Sequence, residues 1–139
     1  LDKASGHVEV LDYASAIACG TVVNPNLATV QAEGGLGQGI GMTLYENIQY
    51  NEKGRMLNNS FMQYKVPSRR DMGNLQVEFE SSYEPTGPFG AKSIGEIVIN
   101  TPAPALAQAI ANATGIWFKD LPITSEQIAM GVLEKELEK

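Results

Sequence analysis

The sequence predicts an α+β fold, in which a mixed sheet packs against helices, and three observations lead to this class. Residues 75–80 alternate apolar and polar side chains with the period of a half-buried strand. Asn24-Pro25 indicates a helix start, because Asn can cap the first turn and Pro at the first helical position loses no useful N–H. Thr124 opens a final amphipathic helix. A length of 139 residues fits a single domain, 1–139.

The elements follow in order along the chain. Residues 7–18 alternate well enough for a strand or a bent pair of strands, and a helix is expected from about Asn26 to about Glu46. The polar run 51–55, flanked by apolar residues, predicts a hairpin, and residues 61–71 predict a surface loop. Residues 85–90 are too rich in Pro and Gly for regular structure.

In the last third of the chain, a helix is expected from about Gly95 to a stop at Gly115. Pro102 and Pro104 are expected to bend it, because proline removes a backbone donor. Residues 116–118 resemble a short strand, which precedes the final helix.

Composition excludes several classes of function. The net charge is −6 and the ten basic residues are scattered, so the basic surface needed for nucleic-acid binding is absent. No apolar run is long enough to span a bilayer. Cys19, the single cysteine, cannot form an internal disulfide, which favours a reducing, cytoplasmic location. Cys19 and His7 are the only soft metal ligands, so no protein-built metal site is predicted and any metal must come with another group.

The predicted first helix carries an unusual number of glycines, at positions 34, 35, 37, 39 and 41. Each costs about 0.8–1 kcal/mol relative to Ala in a helix interior. Glycine allows another backbone, helix or ligand to approach the main chain closely. Two interpretations remain open, namely tight packing against a neighbouring element and contact with a cofactor. A dinucleotide-binding glycine motif is not favoured, because its third glycine would fall on Ile40.

A second glycine-marked stretch, residues 87–96, reads GPFGAKSIGE and also has two interpretations. Ser93 and Glu96 have the spacing of a capping box, in which Glu96 would bond back to the Ser93 amide. Alternatively, the stiff loop carries the Glu96 carboxylate into a cleft, where burial would raise its pKa toward that of a useful base. The spacing alone does not separate the two.

Residues 87–96 resemble the G-P-x-G-A-K-x-x-G-E loop of the molybdenum-binding subunit of the xanthine dehydrogenase and aldehyde oxidoreductase family. Further matching blocks occur in the same order along the chain, at residues 24–25, 31–35, 38–41, 64–67, 113–115 and 121–124. The resemblance runs from about Gly6 to Met130. Two stretches depart from the family pattern, at Ser93-Ile94 and at residues 18–21.

The resemblance implies a site and a cofactor. Its loop glutamate is the catalytic base of the family, which assigns that role to Glu96. The family cofactor is molybdenum held by a molybdopterin, and the resemblance implies cofactor contacts for Gln31, Gln38, Lys92, Ser93 and Gly95. The chain would then be the C-terminal portion of a longer molybdopterin-binding subunit, with the fold of that part of the molybdenum-binding domain.

The resemblance also implies partners and a reaction. The expected reaction is oxidation of an N-heterocycle or an aldehyde with oxygen derived from water. The partners would be the remainder of the molybdenum subunit and subunits or domains that carry iron–sulfur clusters and often FAD. Two alternatives remain. One is a non-catalytic structural or partner-docking domain that keeps the family fold, and the other is a nucleotide-binding module.

Overall fold

The computed structural model describes residues 1–138, which form three α-helices, one small sheet and three 3₁₀ turns. In chain order the regular elements are β1 (Asp12–Ala18), α1 (Pro25–Leu44), β2 (Asn74–Glu80), α2 (Pro102–Thr114) and α3 (Ser125–Leu137). The 3₁₀ turns are Arg69–Asp71, Pro88–Gly90 and Ile97–Ile99. The α+β class is confirmed. None of the helices within residues 1–138 has the length and apolar character needed to cross a bilayer.

The sheet pairs β1 and β2 in parallel, with Asp12 opposite Asn74 and Ala18 opposite Glu80. Because parallel strands need a long connection, α1 and the segment after it lie between them in sequence. Tyr13 and Ile17 point to the buried side of β1, whereas the alternate residues are exposed. The predicted strand over residues 7–18 therefore forms only in its second half.

The long helix α1 confirms the predicted start and most of the predicted length. The Asn24 side chain accepts a hydrogen bond from the Leu27 amide at 3.1 Å, and Pro25 is the first helical residue. Leu36 and Ile40 are fully buried in the main core, together with residues from both other helices. Packing explains two of the glycines of α1, because a Cβ on Gly35 would overlap Val98 and a Cβ on Gly39 would overlap Pro102. The expected tight packing is thus confirmed.

Two element predictions in the last third are wrong. The helix expected from Gly95 begins only at Pro102, and residues 97–99 form a separate 3₁₀ turn. Pro102 instead stands at the first helical position of α2, where its missing N–H is not needed. Residues 116–118 form no strand, because Ile116 and Phe118 pack against the helical core instead of pairing with a neighbouring strand. The stop at Gly115 is confirmed by its left-handed backbone, with φ of 69°.

The remaining predictions hold in outline. The hairpin around residues 51–55 contains one antiparallel bridge, between Tyr50 and Met56. The loop over residues 61–71 is irregular apart from the turn at its end. Thr124 and Gln127 form a reciprocal capping box at the start of α3.

Candidate active site

The candidate site lies where the end of β1, the start of α1 and the loop after β2 meet. A cavity of about 440 Å³ opens there. Its lining comes from the β1–α1 connection, the first two turns of α1 and residues 91–95 of the loop. This is the junction between a strand and the helix that follows it, where ligands often bind in α/β structures.

The loop is held against the β1–α1 connection by main-chain hydrogen bonds. The Lys92 amide donates to the Cys19 carbonyl at 2.8 Å, and the Thr21 amide donates to the Gly90 carbonyl at 2.8 Å. Gly90 has φ of +77°, and a Cβ there would overlap the Tyr83 ring, so the chain needs glycine at this position. Hydrogen bonds at both Cys19 and Thr21 fix one wall of the cavity relative to the other.

The preceding part of the loop is stiffened by a side-chain turn. The Thr86 hydroxyl and amide both donate to the Glu84 carboxylate, at 2.6 and 3.1 Å. These bonds, with the hydroxyl contributing most, hold the pKa of Glu84 below its usual value, and the positive charge of Lys92 adds to the shift. The backbone of Phe89 is left-handed, with φ of 55°, which is unusual for a residue other than glycine. The loop therefore has a defined shape, as the sequence predicted.

Three of the residues with a predicted cofactor role line this cavity. Gln31 comes from α1, and Lys92 and Gly95 come from the loop. The side-chain amide of Gln31 donates to the Gly95 carbonyl at 2.9 Å, so the helix and the loop are joined directly. Ser93 lies between the two loop residues, but its exposed side chain is not part of the lining.

Gln38 occupies a different place. It lies two helical turns beyond Gln31 and lines a separate, smaller depression of about 260 Å³ beside Pro67 and Met72. The structure therefore does not bring Gln38 to the cavity that contains Gln31.

Glu96 directly follows Gly95, which lines the cavity, but Glu96 is not itself a lining residue. It precedes the 3₁₀ turn Ile97–Ile99, and its side chain is exposed. Among the hydrogen bonds of residues 1–138, none involves the Glu96 carboxylate, so the capping box with Ser93 that the sequence allowed is not formed.

Several lining residues were not predicted, namely Cys19, Thr21, Val22, Val23, Asn24, Leu27, Ala28, Ala91 and Ile94. Most of them belong to the β1–α1 connection and the first turn of α1. The signal that could have found them is the predicted strand followed by the helix start at Asn24-Pro25, since the first turn of a helix leaves amides free to bind an anionic group.

The donors around the cavity fit a molybdopterin, which combines a hydrogen-bonding pterin with an anionic phosphate. The first turn of α1 contains no acidic residue, and Lys92 adds a positive charge. Gln31 keeps one N–H and its carbonyl oxygen after bonding to Gly95. Gly95, which lines the cavity, leaves open space, because a Cβ on it would meet nothing within 4 Å. Among residues 1–138, no group of three or more His, Cys, Asp or Glu side chains could hold a metal ion directly.

Comparisons with known proteins agree with this assignment. Residues 1–73 match the family model described as "Molybdopterin cofactor-binding domain". The chain is 40% identical over 131 residues to the 6-hydroxypseudooxynicotine dehydrogenase complex subunit gamma of Paenarthrobacter nicotinovorans, covering 92% of the chain and 16% of that subunit. It is 37% identical over 139 residues to the probable hypoxanthine oxidase XdhD of Escherichia coli, covering 97% of the chain and 14% of that protein.

The fold is similar to that of a solved enzyme. The aldehyde oxidoreductase from Desulfovibrio gigas superposes with a TM-score of 0.87 at 27% identity, over 96% of this chain and 14% of that one. The chain thus spans only about one sixth of the length of the relatives that it matches. Its family model, its relatives and its fold agree, and the chain belongs to the molybdopterin-binding family of the xanthine dehydrogenase and aldehyde oxidoreductase molybdenum subunits.

Proposed function

We propose that this chain supplies the catalytic base and part of the cofactor pocket of a molybdenum hydroxylase. The observation that carries the proposal is the position of Glu96, an exposed carboxylate without a hydrogen-bond partner among residues 1–138, directly after a residue that lines the cavity. The reaction would be oxidation of an N-heterocycle or an aldehyde with oxygen derived from water. The names of the relatives, which include a hypoxanthine oxidase and aldehyde oxidoreductases, support these substrate classes.

In this proposal, different residues of the chain hold the cofactor and accept the proton. Gln31 and Lys92 would hold the cofactor, with Lys92 facing its anionic part. When bound, the molybdenum–pterin group supplies Lewis acidity and two-electron redox chemistry. Glu96 would accept a proton at a carboxylate oxygen from the water-derived nucleophile. Closure of the site by the rest of the subunit would exclude water from the cavity.

We also propose the context in which this site works. The chain would be the C-terminal portion, residues 1–139, of a longer cytoplasmic molybdenum subunit. Electrons would leave through iron–sulfur clusters, and in some assemblies FAD, on other domains or subunits. The small share of its relatives that the chain covers supports the first part, and the word "complex" in the name of one relative supports the second.

Replacing Glu96 by Gln in the complete enzyme tests the catalytic role. We expect turnover to fall by about 10²–10⁴-fold, the usual contribution of a positioned general base. The molybdenum and pterin content and the thermal midpoint should stay the same, because the side chain is exposed and makes no hydrogen bond within residues 1–138. Glu136→Gln, an exposed change on α3, is the matched control and should leave turnover unchanged.

A structural or partner-docking role is the second candidate. It is favoured by three exposed apolar side chains at and near the start of α1, namely Val23, Leu27 and Val30, each about 70% exposed. This role predicts full turnover for Glu96→Gln and no molybdenum in the purified native complex. Either result would refute the catalytic proposal.

A further inference from the structure

We infer that Gln31 is a positioning residue for Glu96. This inference rests on the proposed function of Glu96 as a base. The Gln31 side-chain amide donates to the carbonyl of Gly95 at 2.9 Å, and that carbonyl belongs to the peptide bond that joins Gly95 to Glu96. Because a peptide unit is planar, a hydrogen bond to its oxygen also restrains the nitrogen and Cα of Glu96. Gln31 thereby limits the directions in which the carboxylate can point.

On either side of this peptide, Ile94 packs against a core cluster and the Ile99 amide donates to the Glu96 carbonyl at 3.1 Å. Gly95 has no side chain, and a Cβ built on it would meet nothing within 4 Å. The Glu96 side chain takes part in none of the hydrogen bonds of these residues. The bond from Gln31 is therefore the main contact that fixes the residue before Glu96.

A second contact fixes the chain after Glu96. Gly35 lies one helical turn beyond Gln31, on the same side of α1, and packs so closely against Val98 that a Cβ would overlap the valine side chain. Val98 is almost fully buried. Glu96 thus lies between two points at which α1 holds the backbone, one a hydrogen bond and one a packed contact, while its own side chain remains exposed.

The chemistry of glutamine suits this double role. A primary amide has two N–H donors and one carbonyl acceptor, and only one donor is used on Gly95. The remaining donor and acceptor can meet a group in the cavity, which Gln31 also lines. Gln31 would then connect the bound cofactor to the peptide that carries the base, so that both are placed relative to the same helix.

The test uses the complete enzyme, prepared with and without cofactor, and the variant Gln31→Met. Methionine keeps the length of the side chain but cannot donate to Gly95. In the cofactor-free enzyme we expect hydrogen exchange of the Ile99 and Asn100 amides, which donate to the Glu96 and Ile97 carbonyls, to become about 3- to 10-fold faster. Gln38→Met, on the same helix but in a separate depression, is the control and should leave this exchange unchanged.

In the loaded enzyme, Gln31→Met should lower kcat by about 10-fold and change KM by less than about twofold, since misplacing a base affects the chemical step. Gln31→Glu, which has the same length and no donor, should show the same kcat loss. Exchange that stays unchanged while cofactor content falls would overturn the inference and make Gln31 a cofactor ligand only. Faster exchange with unchanged kcat would also overturn it. Full turnover of Glu96→Gln would refute the base instead, and the exchange result in the cofactor-free enzyme is independent of that outcome.

Discussion

The two faces of α1 differ in whether contacts within the chain account for the residues that they carry. On the packed face, Leu36 and Ile40 are fully buried, and Gly35 is in contact with Val98. On the exposed face, Leu27 is 67% exposed, and Gly34 lines the depression that contains Gln38, where a Cβ on Gly34 would meet nothing within 4 Å. Gly34 and Gly35 are neighbours in sequence, yet only Gly35 is required by the packing of this chain.

Packing within the chain therefore explains the choice of residues on only one face of the helix. Glycine in a helix interior costs stability, so a glycine without a close neighbour needs another explanation. Gly34 lines the separate depression beside Gln38, and the packing of residues 1–138 gives no reason for a glycine there. Folding therefore explains the packed face, and we propose that the exposed face serves binding.

Leucine truncation on the two faces gives the largest expected contrast. We expect Leu36→Ala to lower the free energy of unfolding by about 2–5 kcal/mol, because it leaves a cavity in the core. Leu27→Ala should change it by less than about 0.5 kcal/mol, because the side chain is mostly exposed. Denaturant unfolding of the cofactor-free subunit measures both. Equal losses for the two variants would contradict the division of the helix into two faces.

Replacing either of two adjacent glycines by alanine should change the stability of the subunit by smaller amounts, and the two changes should be opposite in sign. Gly35→Ala should destabilise the subunit by about 1–2 kcal/mol, since the overlap with Val98 outweighs the gain in helix propensity. Gly34→Ala should stabilise the cofactor-free subunit by up to about 1 kcal/mol, since nothing lies near the added carbon.

The measurement for this pair is unfolding of the cofactor-free subunit together with the pterin content of the loaded enzyme. If the space at Gly34 serves the cofactor, Gly34→Ala should lower pterin content although it stabilises the fold. Normal pterin content in that variant would mean that the space is not used for binding.

The smallest expected effect concerns two acidic turns, one at residues 68–71 and one in the loop at the cavity. Asp71 accepts hydrogen bonds from the Ser68 hydroxyl and amide, at 2.7 and 2.6 Å, which hold its pKa below the usual value of 3.8. A carboxyl with a lowered pKa in the folded state stabilises it above the unfolded pKa, and this contribution is lost as pH falls through the folded value. Asp71→Asn should therefore be less stable than the native chain at pH 7, and the difference should shrink below about pH 4.

Glu84, in the loop at the cavity, has a lowered pKa for the same kind of reason, its bonds from Thr86. Glu84→Gln should show the same sign of pH dependence. Unfolding of both variants between pH 3 and pH 7, approximately, compares the two turns. A difference between Asp71→Asn and the native chain that grows as pH falls would contradict the assignment.

Local signals in the sequence predicted those parts of the fold that neighbouring residues decide. The cap at Asn24, the stop at Gly115 and the strand at residues 74–80 each depend on a few adjacent side chains and were predicted near their observed positions. The helix expected from Gly95 and the strand at residues 116–118 were wrong, because packing on α1 and on the helical core sets the backbone there. The site was predicted through a resemblance, and periodicity alone left Glu96 ambiguous between a cap and a base.

The sequence by itself determined the class of the fold, the start of α1, the end of α2 and the family to which the loop at residues 87–96 belongs, since these follow from short-range patterns and ordered motifs. Only the tertiary structure decided that Gln31 bonds to Gly95, that Gln38 lies apart from the cavity and that Glu96 does not cap its own turn. Those outcomes depend on how a helix and a loop more than sixty residues apart come into contact. Chain-distant contacts of this kind arise from packing of the whole core and leave no local pattern from which they can be predicted.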